Sequence, residues 1–144
     1  MGMSTSSTQL VFFIAAMVIA SGLVGLFAET ITSMTDGVRS RGDMVYDKLL
    51  TDITIVNDPY NMGNDPVTIY VKNTGKLSLA TTVDVLVDNG PVSSDNTTIS
   101  VVGGGDWDPG DLLSIVLDIN LSDGEHTIKI VVNNGVSDRF SFRI

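Results

Sequence analysis

"QLVFFIAAMVIASGLVGLFAET", residues 9–30, carries no charge until Glu29. Its reading decides between a signal peptide, a membrane span and the buried spine of a filament. From Leu10 to Ala28 there are about nineteen uncharged residues, which at about 1.5 Å of helical rise each nearly match a hydrocarbon core of about 30 Å. About eleven of them are Leu, Ile, Val or Phe, each favouring insertion by roughly 0.3–0.6 kcal/mol. A secretory signal needs a basic leading segment, a shorter apolar run and a small-residue cleavage site. The preceding "MGMSTSSTQ" has no Lys or Arg, and the run is too long, so a retained span is expected.

The apolar pattern continues past the membrane edge. Read in sevens, Leu10, Phe13, Met17, Ala20, Val24, Phe27, Ile31, Met34, Val38 and Val45 form a seam, interrupted where Arg41 falls on it. A free-standing span needs only bulk hydrophobicity. A seam that runs on into "ITSMTDGVRSRGDMVYDKLL", residues 31–50, predicts that one face meets another helix outside the bilayer. Ala16 with Ala20 and Ser21 with Gly25, widened by Gly22, give the small-residue spacing that lets helices approach closely in lipid. Gly37 and Gly42 each cost about 1 kcal/mol relative to Ala in a helix, which predicts a bend or fray near them.

Beyond the helix, roughly 90–100 residues remain, enough for one small core. The formal net charge is −9, and all but one of those excess negatives fall from Asp52 onward. Phosphate binding needs the opposite sign, so nucleic acid is not an expected partner. With no cysteine in the chain, neither disulfides nor thiolate metal sites can staple the domain.

After Leu50 the periodicity changes to two. "DITIVND", "PVTIYVKNTG", "TVDVLVDNG", "TTISVVGGG", "DLLSIVLDI", "EHTIKIVVNNG" and "SDRFSFRI" read as seven short strands closed by Gly, Asn, Asp or Pro. This predicts an immunoglobulin-like β-sandwich. Val67, Ile69 and Val71 share one face, as do Val83, Val85 and Val87, then Ile128, Ile130 and Val132, and finally Phe140 and Phe142. The opposite faces carry Thr68, Lys72, Asp84, Asp88, Lys129, Arg139 and Arg143, and this division fixes register. Asn134-Gly135, Asn89-Gly90 and Asp123-Gly124 mark turns. In "GGGDWDPGD", Trp107 is expected to cap one end of the sandwich and Pro109-Gly110 to turn into the strand from Leu112. The fold class is therefore mainly β with one long N-terminal helix, organised as residues 1–50 and 51–144.

Chemistry is sparse. Asp106, Asp108 and Asp111 share with a calcium loop only its opening spacing, and the position that would supply a bidentate Glu is Leu117. A solvated acidic turn is the simpler reading. His126 is the only histidine, with no nucleophile arranged around it. Neither catalysis nor a cofactor is expected.

Orientation has two opposing signals. Arg39, Arg41 and Lys48 follow the span and no basic residue precedes it, which by the positive-inside rule places the domain in the cytoplasm. The sequons Asn96-Thr97-Thr98 and Asn120-Leu121-Ser122 favour the outside, with Asn96 and Asn120 as acceptors.

"STSSTQLVFFIAAMVIASGLVGLF", then "GDMVYDKLLTDITIVNDP", "VTIYVKNTGKLSL" and "WDPGD" together resemble the FlaG family of archaeal flagellar (archaellum) accessory proteins, over nearly the whole chain. The resemblance implies a membrane helix with a β-sandwich outside the cell, on the pseudoperiplasmic side. It also implies a structural motility role in a stator that ties the motor to the S-layer with a FlaF-like partner, and self-assembly through the helix. Archaellins and pilins carry a basic residue before the Gly at which a prepilin-type peptidase cuts, and Met1-Gly2 has none ahead of it. Permanent anchoring is accordingly expected over processing. The competing readings are an archaellin- or pilin-like filament subunit, and a tethered binding module with an aromatic-lined groove.

Overall fold

The computed structural model describes residues 2–144, with side chains from residue 6 onward. The first element, α1, covers Gly2–Leu50. No proline interrupts it, and Ala, Leu and Met favour the helix throughout. Four of its hydroxyls bond to its own backbone. Ser21 Oγ donates to the Val18 carbonyl at 2.9 Å, and Thr30, Thr32 and Thr35 donate to the carbonyls of Leu26, Ala28 and Ile31 at 2.8, 2.9 and 2.8 Å. The helix does not fray at Gly37 or Gly42: α1 is helical through both. A cost of about 1 kcal/mol per glycine is small against the turns formed on either side.

The chain divides into two compact units, Met1–Asp43 and Met44–Ile144. The second holds the last turn of α1 and all the strands: β1 Ile53–Ile55, β2 Val67–Asn73, β3 Val83–Val87, β4 Gly90–Pro91, β5 Thr97–Val101, β6 Leu112–Leu117, β7 Glu125–Val132 and β8 Ser137–Arg143. They form two antiparallel four-stranded sheets, ordered β1-β2-β6-β5 and β4-β3-β7-β8. Seven of the eight correspond to the alternating runs of the sequence. The eighth, β4, is a Gly-Pro pair too short to alternate.

Parity of burial sets the sandwich. Val67↔Leu117, Ile69↔Ile115 and Val71↔Leu113 pair across β2 and β6, and all six side chains are buried. Val85↔Ile130 does the same across β3 and β7. Phe142 is buried on β8, with Phe140 packed partly buried against the same core. Ile53 and Ile55 of β1, Leu79 and Val132 complete one contiguous apolar cluster.

The turns explain the connections. Between β3 and β4 the two-residue loop is Asp88-Asn89, with φ of 50° and 66°. These are the positive values that a type I′ hairpin requires at both central positions. The turn thus sits one residue earlier than Asn89-Gly90, because Gly90 is already paired with Val87. Before β6, Asp108-Pro109-Gly110-Asp111 closes with Asp111 N–H donating to the Asp108 carbonyl at 3.0 Å, and Gly110 has φ of 97°, a type II turn. Trp107, expected as a cap, goes wholly inside at 0% exposure. It bridges to Leu79, and its Nε1 donates to the Asp111 carbonyl at 3.2 Å.

Candidate functional site: an unburied apolar helix and its socket

Within α1 the seam residues are all solvent-facing. Leu10, Phe13, Met17, Val24, Phe27, Ile31, Met34 and Val38 are between 59% and 72% exposed, and Ala20 is exposed with them. Ala16, Ser21, Gly22 and Gly25 are exposed too. A Cβ placed at Gly22 or Gly25 would have nothing within 4 Å, so no neighbour in the chain itself requires those glycines. Because the Ser21 hydroxyl is spent on the Val18 carbonyl, this residue presents a small apolar profile. One stretch of α1 is long and apolar enough to cross a membrane, and none of it is buried inside the protein. Burying apolar surface is worth roughly 25 cal/mol per Å², so this helix has a large unmet demand for lipid or for other helices.

The other end of α1 is held firmly, within the unit that begins at Met44. The Lys76 N–H donates to the Leu50 carbonyl at 2.8 Å, and the N–H groups of Thr74 and Gly75 donate to the Asp52 carbonyl at 3.0 and 2.9 Å. Gly75 fits so closely that a Cβ there would lie 2.6 Å from both the Leu50 oxygen and the Asp52 nitrogen. From the other sheet, Asn134 Nδ2 donates to Thr51 Oγ1 at 2.7 Å, while that hydroxyl donates to the Asp47 carbonyl at 2.8 Å. Thr51 is buried in consequence. The β2–β3 loop and the β7–β8 turn therefore grip the helix end together.

Behind the socket stands Asn73, a fully buried amide on β2. Its Nδ2 donates to the carbonyls of Leu77 at 2.9 Å and Trp107 at 3.1 Å, and its Oδ1 accepts from the Gly75 N–H at 3.1 Å. One side chain thereby shapes the loop that carries Gly75 and seats Trp107. Sequence reasoning passed over Thr51, Asn73 and Gly75, and read Asn134 only as part of a turn. The signal was the triplet Asn73-Thr74-Gly75, a turn sequence next to a buried strand.

The remaining sequence candidates are dispersed. Asn96 ends a short 3₁₀ turn, Ser94–Asn96, and Asn120 lies between β6 and β7; both are exposed. Asp108 accepts from the Ser78 hydroxyl, and Asp111 Oδ2 accepts from the Asp108 N–H at 3.3 Å. Among the described residues no three acidic or imidazole side chains converge as a metal site would need. A groove of about 510 Å³ opens along β3, β4 and β5, lined by residues such as Val83, Val85, Pro91, Val92, Thr97 and Ile99, with no aromatic among its lining residues.

His126 has a defined environment. Nδ1 lies 2.7 Å from Asp88 Oδ2 and Nε2 lies 2.8 Å from the Ser122 carbonyl. With an acceptor at each ring nitrogen, only the imidazolium donates to both. Hydrogen bonding to Asp88, then to the Ser122 carbonyl, raises the His126 pKa above its ordinary value. The same His126 bond, with the Thr127 N–H at 2.9 Å, lowers that of Asp88. This pair locks the β3–β4 hairpin to β7.

Comparison with known proteins agrees with this arrangement. Residues 2–142 match the archaeal-type flagellin family. A relative from Methanocaldococcus jannaschii, named "Putative flagella-related protein G", is 31% identical over 143 residues, covering 93% of this chain and 92% of its own. A protein of the same name from Methanococcus voltae is 31% identical over 149 residues, covering 95% of each. An apolar N-terminal helix followed by a two-sheet β-domain, matched nearly end to end, makes this chain a member of the archaeal-type flagellin family, among its flagella-related G proteins.

Proposed function

We propose that this chain is a non-enzymatic structural part of the archaellum motor, anchored in the cell membrane by α1. The observation that carries this reading is the contrast between its two units: the β-domain closes its own core, while the apolar surface of α1 is left unburied. A component that must grip a membrane and other helices needs that demand, and needs no pocket. In this reading the seam from Leu10 to Val38 packs against sister or partner helices. The β-domain stands on the pseudoperiplasmic side, where a FlaF-like partner and the S-layer hold it as part of a stator. Lettered in chain order, the sheets run A-B-E-D and C′-C-F-G, which supports an immunoglobulin-type sandwich with one short added strand.

The test is native capture from envelopes with the tagged full-length chain. Co-purification of surface-layer and FlaF-like proteins supports the stator role, and recovery of the chain without either counts against it. Proteolysis of the β-domain in intact cells, but not of cytoplasmic controls, reports its side.

A second reading, a subunit of an archaellin- or pilin-like filament, draws support from the family match along residues 2–142. N-terminal sequencing separates the two. A trimmed chain in sheared filaments favours the subunit, and an intact chain retained in membranes favours the anchor.

A further inference from the structure

The fold treats the two Asn-X-Ser/Thr triplets of the β-domain differently. In Asn96-Thr97-Thr98 the backbone is tied down along its length. The Asn96 N–H donates to the Ser93 carbonyl at 3.1 Å and the Asn96 carbonyl accepts from the Asp118 N–H at 2.8 Å. The Thr97 hydroxyl donates to the Ser93 carbonyl at 3.0 Å, and Thr98 pairs with Val116 in the β5–β6 ladder. Asn120-Leu121-Ser122 instead lies between β6 and β7, outside every ladder. Side chains fasten it: the Leu121 N–H donates to Asn64 Oδ1 at 3.1 Å, the Leu121 carbonyl accepts from Asn64 Nδ2 at 2.8 Å, and the Ser122 carbonyl lies 2.8 Å from His126 Nε2. Ile119 and Leu121 pack against the core, so the residues between and after them turn outward, and Asn120 and Ser122 are both exposed. Among the described residues no hydrogen bond engages the Asn120 amide or the Ser122 hydroxyl.

Resting on the reading that the β-domain stands outside the cytoplasm, we propose that Asn120 is the acceptor of an N-linked glycan and that Asn96, despite its matching triplet, is not. Transfer needs an exposed amide nitrogen and a hydroxyl two residues on, carried by a segment that can leave the domain surface to enter a transferase. Asn120-Leu121-Ser122 does this by giving up three side-chain bonds, whereas Asn96-Thr97-Thr98 has to break into the β5–β6 ladder. The co-reactant is a lipid-linked oligosaccharide. Asn120 Nδ2 attacks its anomeric carbon, the new C–N bond forms as the carbon–oxygen bond to the lipid phosphate breaks, the phosphate leaves with the electron pair, and the amide gives up one proton. The position suits a bulky, hydrated group. β6 starts opposite Lys72 and ends at Leu117, and β7 starts at Glu125 and ends at Val132. The socket residues Thr74–Lys76 and Asn134 follow the Lys72 and Val132 ends, so Asn120 lies at the opposite end of the sandwich. A sugar there leaves the grip on α1 untouched and keeps protein contacts off the end around Asn64 and Leu121.

The test is the mass of the full chain purified from the membranes of its native cells, intact and after cleavage at aspartates. Asp106, Asp108, Asp111 and Asp118 lie between the two asparagines, so their peptides separate. A discrete added mass on the Asn120 peptide, and none on the Asn96 peptide, is expected. N120Q should abolish it. S122A should abolish it too, with the acceptor amide still in place, while S122T should keep it and N96Q should leave it unchanged. All of these positions are exposed, and an unaltered thermal midpoint checks that each variant is folded. An unmodified Asn120 overturns the proposal, as does an added mass that survives S122A, and equal occupancy of both asparagines overturns the selection by β5–β6 pairing. Protease treatment of intact cells separates the failures. A β-domain cleaved from outside yet free of sugar leaves the extracytoplasmic reading standing and the glycan assignment fallen; one that is both protected and unmodified removes the reading, and the assignment with it.

Discussion

The Lys76 N–H donates to the Leu50 carbonyl at 2.8 Å, so one of the last carbonyls of α1 is bound by a loop of the β-domain rather than by water. Carbonyls at a helix end have no intrahelical partner. Here Leu50 is answered by Lys76, and the Asp47 carbonyl accepts both the Thr51 N–H and the Thr51 hydroxyl.

Gly75→Ala tests the socket directly. The new methyl would meet backbone atoms of Leu50 and Asp52 at 2.6 Å, and backbone cannot rotate aside as a side chain can. A destabilisation of about 2–4 kcal/mol is expected, read as a lower thermal midpoint. Gly63→Ala, whose nearest neighbour would be 3.8 Å away, should change stability by no more than about 0.5 kcal/mol.

Asn73→Ala removes three hydrogen bonds at once and leaves the Leu77 carbonyl without its side-chain donor, while the Trp107 carbonyl keeps the Leu79 N–H and the Gly75 N–H keeps the Asp52 carbonyl. A loss of about 1–3 kcal/mol is expected in denaturant unfolding. Trp107 fluorescence should shift red in the folded variant, because the indole loses its fixed, dry seat. An unchanged emission maximum would contradict the role given to Asn73.

Stability should respond to pH through His126 and Asp88. The His126 pKa is raised above 6.5, so its contribution is complete below about 6.5 and disappears as pH climbs through the higher folded value. Asp88 is lowered below 3.8; its contribution is complete above about 3.8 and disappears as pH falls through the lower folded value. The pair contributes most between those limits. Its size is under about 1 kcal/mol, since Asp88 is 48% exposed and screened by solvent. His126→Gln should flatten the slope of the thermal midpoint between about pH 6 and pH 8, the region in which an ordinary or raised imidazole titrates. A wild-type chain with no slope there would refute the assignment.

Val24→Lys, and separately Val38→Lys, should reduce cross-linked oligomers of the full chain while the β-domain keeps its unfolding transition. In the span the substitution also costs about 2.5–3.5 kcal/mol at the bilayer centre, so reduced membrane insertion is expected for Val24→Lys alone. Oligomers that survive both changes would rule out the seam as the contact.

The sheets were legible because burial parity is a local property: Val67, Ile69 and Val71 announce their face within five residues. The short strand β4 was not, since two residues cannot alternate. The hairpin turn was misplaced by one because Asp88 and Asn89 both tolerate positive φ, and only the pairing of Gly90 with Val87 decides between the options. The socket was invisible for a different reason. Thr51 and Asn134 are 83 residues apart, and no local window joins them. Within the span, apolar residues on every side of α1 conceal any preferred face, so the seam rests on its continuation through Ile31, Met34 and Val38.

The grip of two loops on Thr51, Leu50 and Asp52 decides how the β-domain yields under load. Beyond the socket the chain runs into β1, whose three residues pair with β2 and whose Ile55 N–H donates to Asp138 Oδ2 of β8 at 2.8 Å. Without the socket, tension would fall on that short ladder and its one bond to β8. With Asn134 and the Thr74–Lys76 backbone sharing the strain, it is distributed across both layers at once, and the joint behaves as a rivet instead of a zipper.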